Sequence, residues 1–256
     1  MSRVLHSLGS SIMDLLHEVG GLARLAYQMT RALVTFQADG VELWRSMYRV
    51  GVKSFPIVVV TALMVGGITA MQTAGLIGST GATGVVGGAT GVTTLREIGP
   101  ILIGLMFSGR VGANNTAELG TMAVTDQIDA LRALAINPIN FLLAPRFLSI
   151  IVMMFLLTAI GAAVSICAAS GTIYLLIGLH PYSFFDSFFT MVEMADFMNG
   201  MVKALFFGIA IALVSCYYGF NTSGGAVGVG QAVNSAVVAS ATGLFVFDYL
   251  ITALLP

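Results

Sequence analysis

Charged side chains are scarce in this 256-residue sequence, in which Asp, Glu, Lys and Arg together make up 9% of the residues. Soluble domains carry about 25% charged residues, whereas 57% of this chain is hydrophobic. The net charge of −1 leaves no basic field that would attract nucleic acid. The composition therefore excludes an ordinary soluble domain and a nucleic-acid-binding protein, and it predicts an all-α integral membrane protein.

Cysteine and lysine are also scarce, and the common catalytic motifs are absent. Cys167 and Cys216 lie in apolar runs, which indicates packing residues rather than a disulfide framework. Neither lysine, Lys53 or Lys203, follows a glycine, so the sequence has no ATPase phosphate loop. It also lacks the spacing of a zinc site and the elbow of a serine hydrolase. We therefore expect no catalytic residue, metal site or cofactor in this chain, and if it drives transport, another subunit would supply the energy.

Long apolar runs separate the few charges and predict five membrane-spanning helices. No charged residue occurs from Ser54 to Leu95, and each later run is long enough to cross a bilayer. The predicted spans cover about 55–76, 93–114, 146–178, 199–219 and 230–253. They divide the chain into an interfacial and juxtamembrane region, 1–53, and a five-span domain, 54–256.

The region before the first span is amphipathic. Between residues 3 and 36, apolar residues recur at steps of three and four, which is typical of an amphipathic helix. We expect this helix to lie on the membrane surface, and the alternative is a helix packed on a soluble partner. Residues 41–53 combine Trp44 and Tyr48 with cations, as membrane–water interfaces do.

The distribution of cations predicts the orientation. Six of the eleven Lys and Arg residues lie in residues 1–53, and Arg132 and Arg146 lie in or beside the segment 115–146. The loops 77–92 and 180–198 have none. The positive-inside rule therefore places the N-terminus and the segment 115–146 in the cytoplasm, and an odd number of spans places the C-terminus on the opposite side.

Charged residues inside predicted spans are costly and usually functional. Arg110 lies near the cytoplasmic end of its span and could simply snorkel to the interface, which leaves four others. They lie on three helices, in the half of the membrane away from the cytoplasm: Arg96, Glu97, Lys203 and Asp248. Charges at one depth are expected to face one another or a shared cavity. One interpretation is a salt-bridge cluster that fixes helix packing. The other is a polar patch in an apolar cavity, where arginine and lysine meet the phosphate of an amphiphile.

The segment 118–134 predicts a short cytoplasmic helix between the second and third spans. Thr125 suits its N-cap and Asp126 its first turn. An apolar stripe and several acids would make its contacts, through Glu118, Asp126, Ile128, Asp129 and Leu131. A helix this short is marginal alone, so it docks on the membrane, on its own bundle or in a groove of a partner.

Several motifs of distinctive composition lie between residues 95 and 254. They are LREIGP (95–100), GRVG (109–112), AELGTM (117–122), TDQIDAL (125–131), NP (137–138), PR (145–146), GGAVGVGQAVNSAVV (224–238) and FDYLITAL (247–254). Over roughly residues 45–256, the chain resembles the MlaE/YrbE permease family, the membrane subunit of MCE-type lipid ABC transporters.

The resemblance implies a homodimer of five-span subunits in the bacterial inner membrane, with a cytoplasmic N-terminus and a periplasmic C-terminus. It implies an ABC ATPase dimer on the cytoplasmic side, a hexamer of MCE-domain proteins on the periplasmic side and, often, a STAS-domain protein. Lipid would bind in an outward-facing cavity at the dimer interface near Arg96, Glu97 and Lys203, and residues 118–134 would form the coupling helix. The implied function is movement of phospholipid between the inner membrane and the MCE ring, for outer-membrane lipid homeostasis.

Two features depart from that family. Gln231 stands where many members have arginine, and the glycines spaced every third residue from Gly75 to Gly87 are unusual. We expect the stretch 75–91 to form a flexible external loop with a little close helix packing.

Two other functions remain open at this stage. In a proton-coupled secondary lipid transporter, Glu97 or Asp248 would take the proton, although such proteins usually contain inverted repeats that are not evident here. In a membrane scaffold without transport activity, the intramembrane charges would only fix the packing.

Overall fold

The computed structural model describes residues 2–34, 40–78 and 83–255. Within these ranges every regular element is helical, as predicted. The α-helices are α1 Ser2–Val34, α2 Gly40–Gly78, α3 Val86–Thr93, α4 Gly99–Phe107, α5 Ala113–Val124, α6 Gln127–Ala133, α7 Ala144–Ile177, α8 Pro181–Met191, α9 Met194–Phe220 and α10 Gly225–Leu254. A short 3₁₀ turn, Thr83–Val85, precedes α3.

Four helices are long and apolar enough to cross a membrane, judged by length and composition. They are Gly40–Gly75, Ile139–Ile177, Met194–Phe220 and Gly225–Leu254. These helices correspond to the predicted first, third, fourth and fifth spans, and the first begins well before the predicted boundary at residue 55. The predicted second span, about 93–114, is not among them because Arg96, Glu97 and Arg110 interrupt its apolar run. Its crossing of the membrane stays a prediction.

Residues 86–124 nevertheless form a continuous helical stretch through the middle of the bundle. Two π-helical segments, π1 Thr94–Ile98 and π2 Ser108–Gly112, join α3, α4 and α5. Between them α4 contacts α2, α7, α9 and α10, and Ile103 and Phe107 are fully buried in the main core. Single π turns inside α-helices are rare and occur frequently at functional sites. Here π1 contains Arg96 and Glu97, and π2 contains Arg110.

The most extensive helix pair is α2 with α7. Val58, Ala62 and Val65 recur at helical spacing on the buried face of α2. At Gly66 the two backbones approach so closely that a Cβ atom would lie 2.0 Å from the Ser165 carbonyl oxygen. Small residues at such contacts are typical of helix packing in membranes, where dispersion forces rather than water drive association.

The glycine-rich stretch differs from the prediction of a loop. Residues 79–82 lie outside the described residues, but its second half forms α3, which packs on α8. A Cβ atom on Gly87 would lie 2.0 Å from the Phe184 carbonyl oxygen, and one on Gly91 would lie 2.5 Å from the Phe188 ring. The glycines therefore allow two short helices to touch, and the close packing outweighs their low helix propensity.

The N-terminal segment is a helix, as predicted, although residues 35 and 36 of the predicted range lie outside the described residues. In its second half Leu25, Met29 and Ala32 are buried, where α1 contacts α7 and α9. Part of the apolar face is thus covered by the protein itself. Its position on a membrane surface stays a prediction.

Candidate functional site

The two ends of the bundle differ in chemistry. One end holds π1, α8 and the last turns of α10, and we call it the α8 end. The opposite end holds α6 and the first turns of α2 and α7, and we call it the α6 end. The predicted orientation would place the α6 end in the cytoplasm.

At the α8 end, a lysine from α9 lies between two carboxylates from different elements. Lys203 pairs with Glu97 of π1, and its Nζ lies 3.1 Å from the Asp248 Oδ1 atom of α10. The Asp248 contact lacks hydrogen-bond geometry, so it is an ion pair only. Thr252 adds a hydroxyl that donates to Glu97 at 3.3 Å. The structure thus brings three of the four predicted charges together.

The fourth predicted charge, Arg96, has a different partner. Its Nη1 lies 3.7 Å from Asp196 Oδ1, and its Nη2 donates to the Leu255 carbonyl oxygen at 3.1 Å. Asp196 also accepts a hydrogen bond from the Glu193 backbone N–H in the capping box that begins α9. Asp196 was not among the predicted charges of this cluster, although an acid three residues after Glu193 at the start of a helix is a recognisable cap signal.

The charges of this cluster do not leave a free cation. Two cations, Arg96 and Lys203, face three carboxylates, Glu97, Asp196 and Asp248, which leaves one net negative charge. The Lys203 side chain is only 1% exposed. Because a buried charge must be paired, a lipid phosphate would have to compete with these carboxylates for the cations. Its role in lipid binding stays a prediction.

An apolar cavity of about 550 Å³ lies at the same end of the bundle. It is bounded by α7, α8, π1 and the start of α9, and its walls include Leu95, Ile166, Phe185, Phe188 and Phe197. Leu95 directly precedes Arg96, but none of the four predicted charges lines this cavity. The cavity walls and the four predicted charges are therefore separate sets of residues.

The predicted coupling segment, 118–134, consists of two helices rather than one. The break falls at Thr125 and Asp126, where Asp126 adopts a left-handed conformation with φ 57°. The prediction that Thr125 caps the second helix was wrong, because its hydroxyl donates to the Thr121 carbonyl oxygen and completes α5. Aspartate tolerates a left-handed backbone better than most residues, so Asp126 can form the turn between α5 and α6.

The residues of α6 divide between the bundle and the surface. Ile128 is buried, and Leu131 packs on the main core, while Arg132 lies over the Phe220 ring. Asp126 and Asp129 are exposed. The apolar stripe thus docks α6 on its own chain, and an incoming partner would meet the acids.

Glu118 does not share that surface. Its carboxylate accepts hydrogen bonds from Arg49 of α2 at 2.8 Å and from Asn114 at 2.9 Å, and it lies 3.1 Å from Arg146 of α7. It therefore joins three helices at the α6 end. The two arginine partners were missed because they come from distant parts of the sequence, although Arg49 and Arg146 stand out as cations at the starts of apolar runs.

Comparisons with known proteins identify the family of this chain. Residues 43–254 match the family described as Permease MlaE. The chain is 36% identical to a probable ABC transporter permease protein of Rickettsia typhi, over 83% of this chain and 82% of that protein. It is 32% identical to one of Rickettsia felis over 98% and 97%, and 34% identical to one of Synechocystis over 82% and 80%. The chain therefore belongs to the MlaE family of ABC transporter permeases.

Proposed function

We propose that this permease moves phospholipid, or a related lipid, between the inner membrane and a periplasmic ring of MCE-domain proteins, for outer-membrane lipid homeostasis. The observation that carries the proposal is the apolar cavity at the α8 end. Its volume of about 550 Å³ lies in the range of ligand sites, about 300–1,000 Å³. Its aliphatic and aromatic walls suit acyl chains, and charged residues lie one position beyond Leu95.

The proposed partners would bind at the two ends of the bundle. An ABC ATPase dimer, which would bind the ATP and Mg²⁺, would dock at the α6 end against the exposed acids of α6. An MCE hexamer would cover the α8 end, and a STAS-domain protein would join the ATPase. A homodimer would use α10, whose outward face exposes Val238, Phe245 and Tyr249.

Filling the apolar cavity tests this function. Ala163→Trp places a large ring among the cavity walls of α7, whereas Leu175→Trp places the same ring on the open face of that helix, where Leu175 is 83% exposed. Both variants would be reconstituted with the ATPase and an MCE protein, and ATP-dependent transfer of labelled phospholipid measured. We expect Ala163→Trp to slow transfer strongly and Leu175→Trp to retain it.

Two results would contradict the proposal. Equal lipid transfer by Ala163→Trp and the unaltered protein, at equal folded amounts, would show that lipid does not pass through the apolar cavity. Transfer driven by a pH gradient without ATP would favour the proton-coupled alternative.

A further inference from the structure

A second cavity, at the α6 end, is lined by cations. It has a volume of about 340 Å³ and lies between α2, π2, α5 and α7. Four cations line it: Arg49, Lys53, Arg110 and Arg146. Buried polar residues complete its wall, namely Ser54, Asn115 and Ser149. We call it the basic cavity.

One carboxylate faces those four cations. Glu118 forms ion pairs with Arg49 and Arg146, whose Nη1 atoms lie 2.8 Å and 3.1 Å from its Oε2. Among the side chains that the structure describes, no carboxylate pairs with Lys53 or Arg110. Four cations and one acid leave three net positive charges around the cavity. Lys53 and Arg110 are both exposed, so their charges are available to an anion that enters the cavity from the surface.

The surroundings of the cavity are those of a membrane interface. On α2, Trp44 and Tyr48 are exposed just before Arg49 and Lys53, and such aromatic side chains lie at the depth of lipid headgroups. Beyond Lys53, the same face of α2 continues with exposed apolar residues at steps of seven and four: Val60, Met64 and Met71. Arg49 and Lys53 thus lie at the start of an exposed apolar stripe on α2.

We propose that the basic cavity binds the phosphate of an anionic phospholipid from the leaflet at the α6 end, with the acyl chains lying along the stripe on α2. Lys53 and Arg110 would bind the phosphate directly, while Arg49 and Arg146 stay with Glu118 and raise the local potential. The site lies at the opposite end of the bundle from the apolar cavity. It therefore does not depend on which lipid is transported, or on whether transport occurs.

Lipid retention tests the site. The full-length protein would be placed in nanodiscs that contain equal amounts of phosphatidylglycerol and phosphatidylcholine, and the lipids retained after mild release counted by native mass spectrometry. We expect the unaltered protein to retain phosphatidylglycerol preferentially. Because each cation near an anionic lipid contributes about fivefold to binding, Lys53→Ala with Arg110→Ala should lower that preference by roughly tenfold or more.

A matched cation serves as the control. Arg45 lies two turns before Lys53 on α2, is exposed and pairs with Glu42 outside the cavity, so Arg45→Ala should keep the preference. An equal loss in Arg45→Ala would show general surface attraction and overturn the site. If the double variant fails to fold, Glu118→Gln tests the same idea, because it removes the one acid of the cavity and should raise the preference. An unchanged or lower preference in folded Glu118→Gln would overturn the proposal.

A soluble anion is the competing occupant. Inorganic phosphate would be added to the protein in neutral detergent, and its effect on the melting temperature compared with that of phosphatidylglycerol. We expect phosphatidylglycerol to stabilise the protein, and phosphate alone at millimolar concentration to have no effect. Equal stabilisation by both would assign the cavity to a soluble phosphate and overturn the lipid proposal.

Discussion

Lys203 and Glu97 form an ion pair across 106 residues of sequence and join α9 to π1 at the α8 end. Asp248 brings α10 to the same ammonium group. The lysine is 1% exposed, while Glu97 and Asp248 are 36% and 21% exposed. The Lys203 ammonium group is therefore fully desolvated, whereas Glu97 and Asp248 keep partial contact with solvent. Lys203 needs its two carboxylate partners more than either carboxylate needs Lys203.

This difference in exposure predicts that replacing Lys203 alone will strongly lower the free energy of unfolding. Lys203→Met removes the shared cation and leaves two carboxylates facing each other, so we expect it to destabilise the protein by about 3 kcal/mol. The triple variant Lys203→Met, Glu97→Gln and Asp248→Asn removes all three charges and should regain most of that loss. Denaturant unfolding in detergent measures both effects, and a triple variant as unstable as Lys203→Met would contradict the explanation.

The same variants separate a structural cluster from a functional one. If the charges only fix helix packing, the refolded triple variant should transfer lipid normally once its stability is restored. If they contact substrate, as the sequence hypothesis holds, transfer should stay low at equal folded amounts. Lipid transfer measured beside unfolding therefore distinguishes the two interpretations.

The Arg96–Asp196 pair should contribute much less. Its atoms are 3.7 Å apart and its side chains are 27% and 12% exposed, so water screens the attraction. A double-mutant cycle with Arg96→Gln and Asp196→Asn should give a coupling of about 1 kcal/mol or less. A coupling as large as the loss in Lys203→Met would show that the arginine pair, rather than Lys203, holds the α8 end together.

The exposed acids of α6 give a prediction about ATPase binding. Asp126→Asn with Asp129→Asn removes two charges and keeps a residue that tolerates the left-handed backbone at position 126, where φ is 57°. We expect the ATPase to co-purify several-fold less with this variant, since it would lose two contacts of the proposed dock. The melting temperature should change little, because both side chains lie at the surface.

The control for that experiment is an acid at the other end. Asp186→Asn removes an exposed charge of α8, and it should leave ATPase co-purification unchanged. Unchanged co-purification of the α6 variant would exclude a docking role for these two acids. Reduced binding in both variants would point to a general effect of charge.

The long helices could be predicted from the sequence because each apolar run is bounded by charge or by a helix-ending glycine such as Gly178, which has φ 69°. The common depth of Lys203, Glu97 and Asp248 could likewise be predicted from their positions within the runs, although depth did not distinguish them from Arg96, which pairs with Asp196. Local pattern and distance along the helix determine both features.

The remaining features depend on contacts between distant segments. In the sequence, Glu118 looks like an acid on a surface helix. Its side chain instead pairs with Arg49, which lies 69 residues earlier. The break at Asp126, where φ is 57°, lies two residues before the buried Ile128, and local sequence does not show that burial. The helix α3 was missed because glycine disfavours helix locally, and only the presence of α8 makes small residues favourable there.

The contact between α3 and α8 gives the last prediction. Gly87→Ala would place a Cβ atom 2.0 Å from the Phe184 backbone oxygen, and a backbone atom cannot rotate away as a side chain can. We expect the free energy of unfolding to fall by about 1–3 kcal/mol, seen as a lower melting temperature and faster hydrogen exchange in α8.

Gly75→Ala is the matched control, because the space around Gly75 is open and alanine there should stabilise the helix by up to about 1 kcal/mol. Equal melting temperatures for the two variants would show that α3 and α8 are free to separate, in which case the glycines would not be needed for their contact.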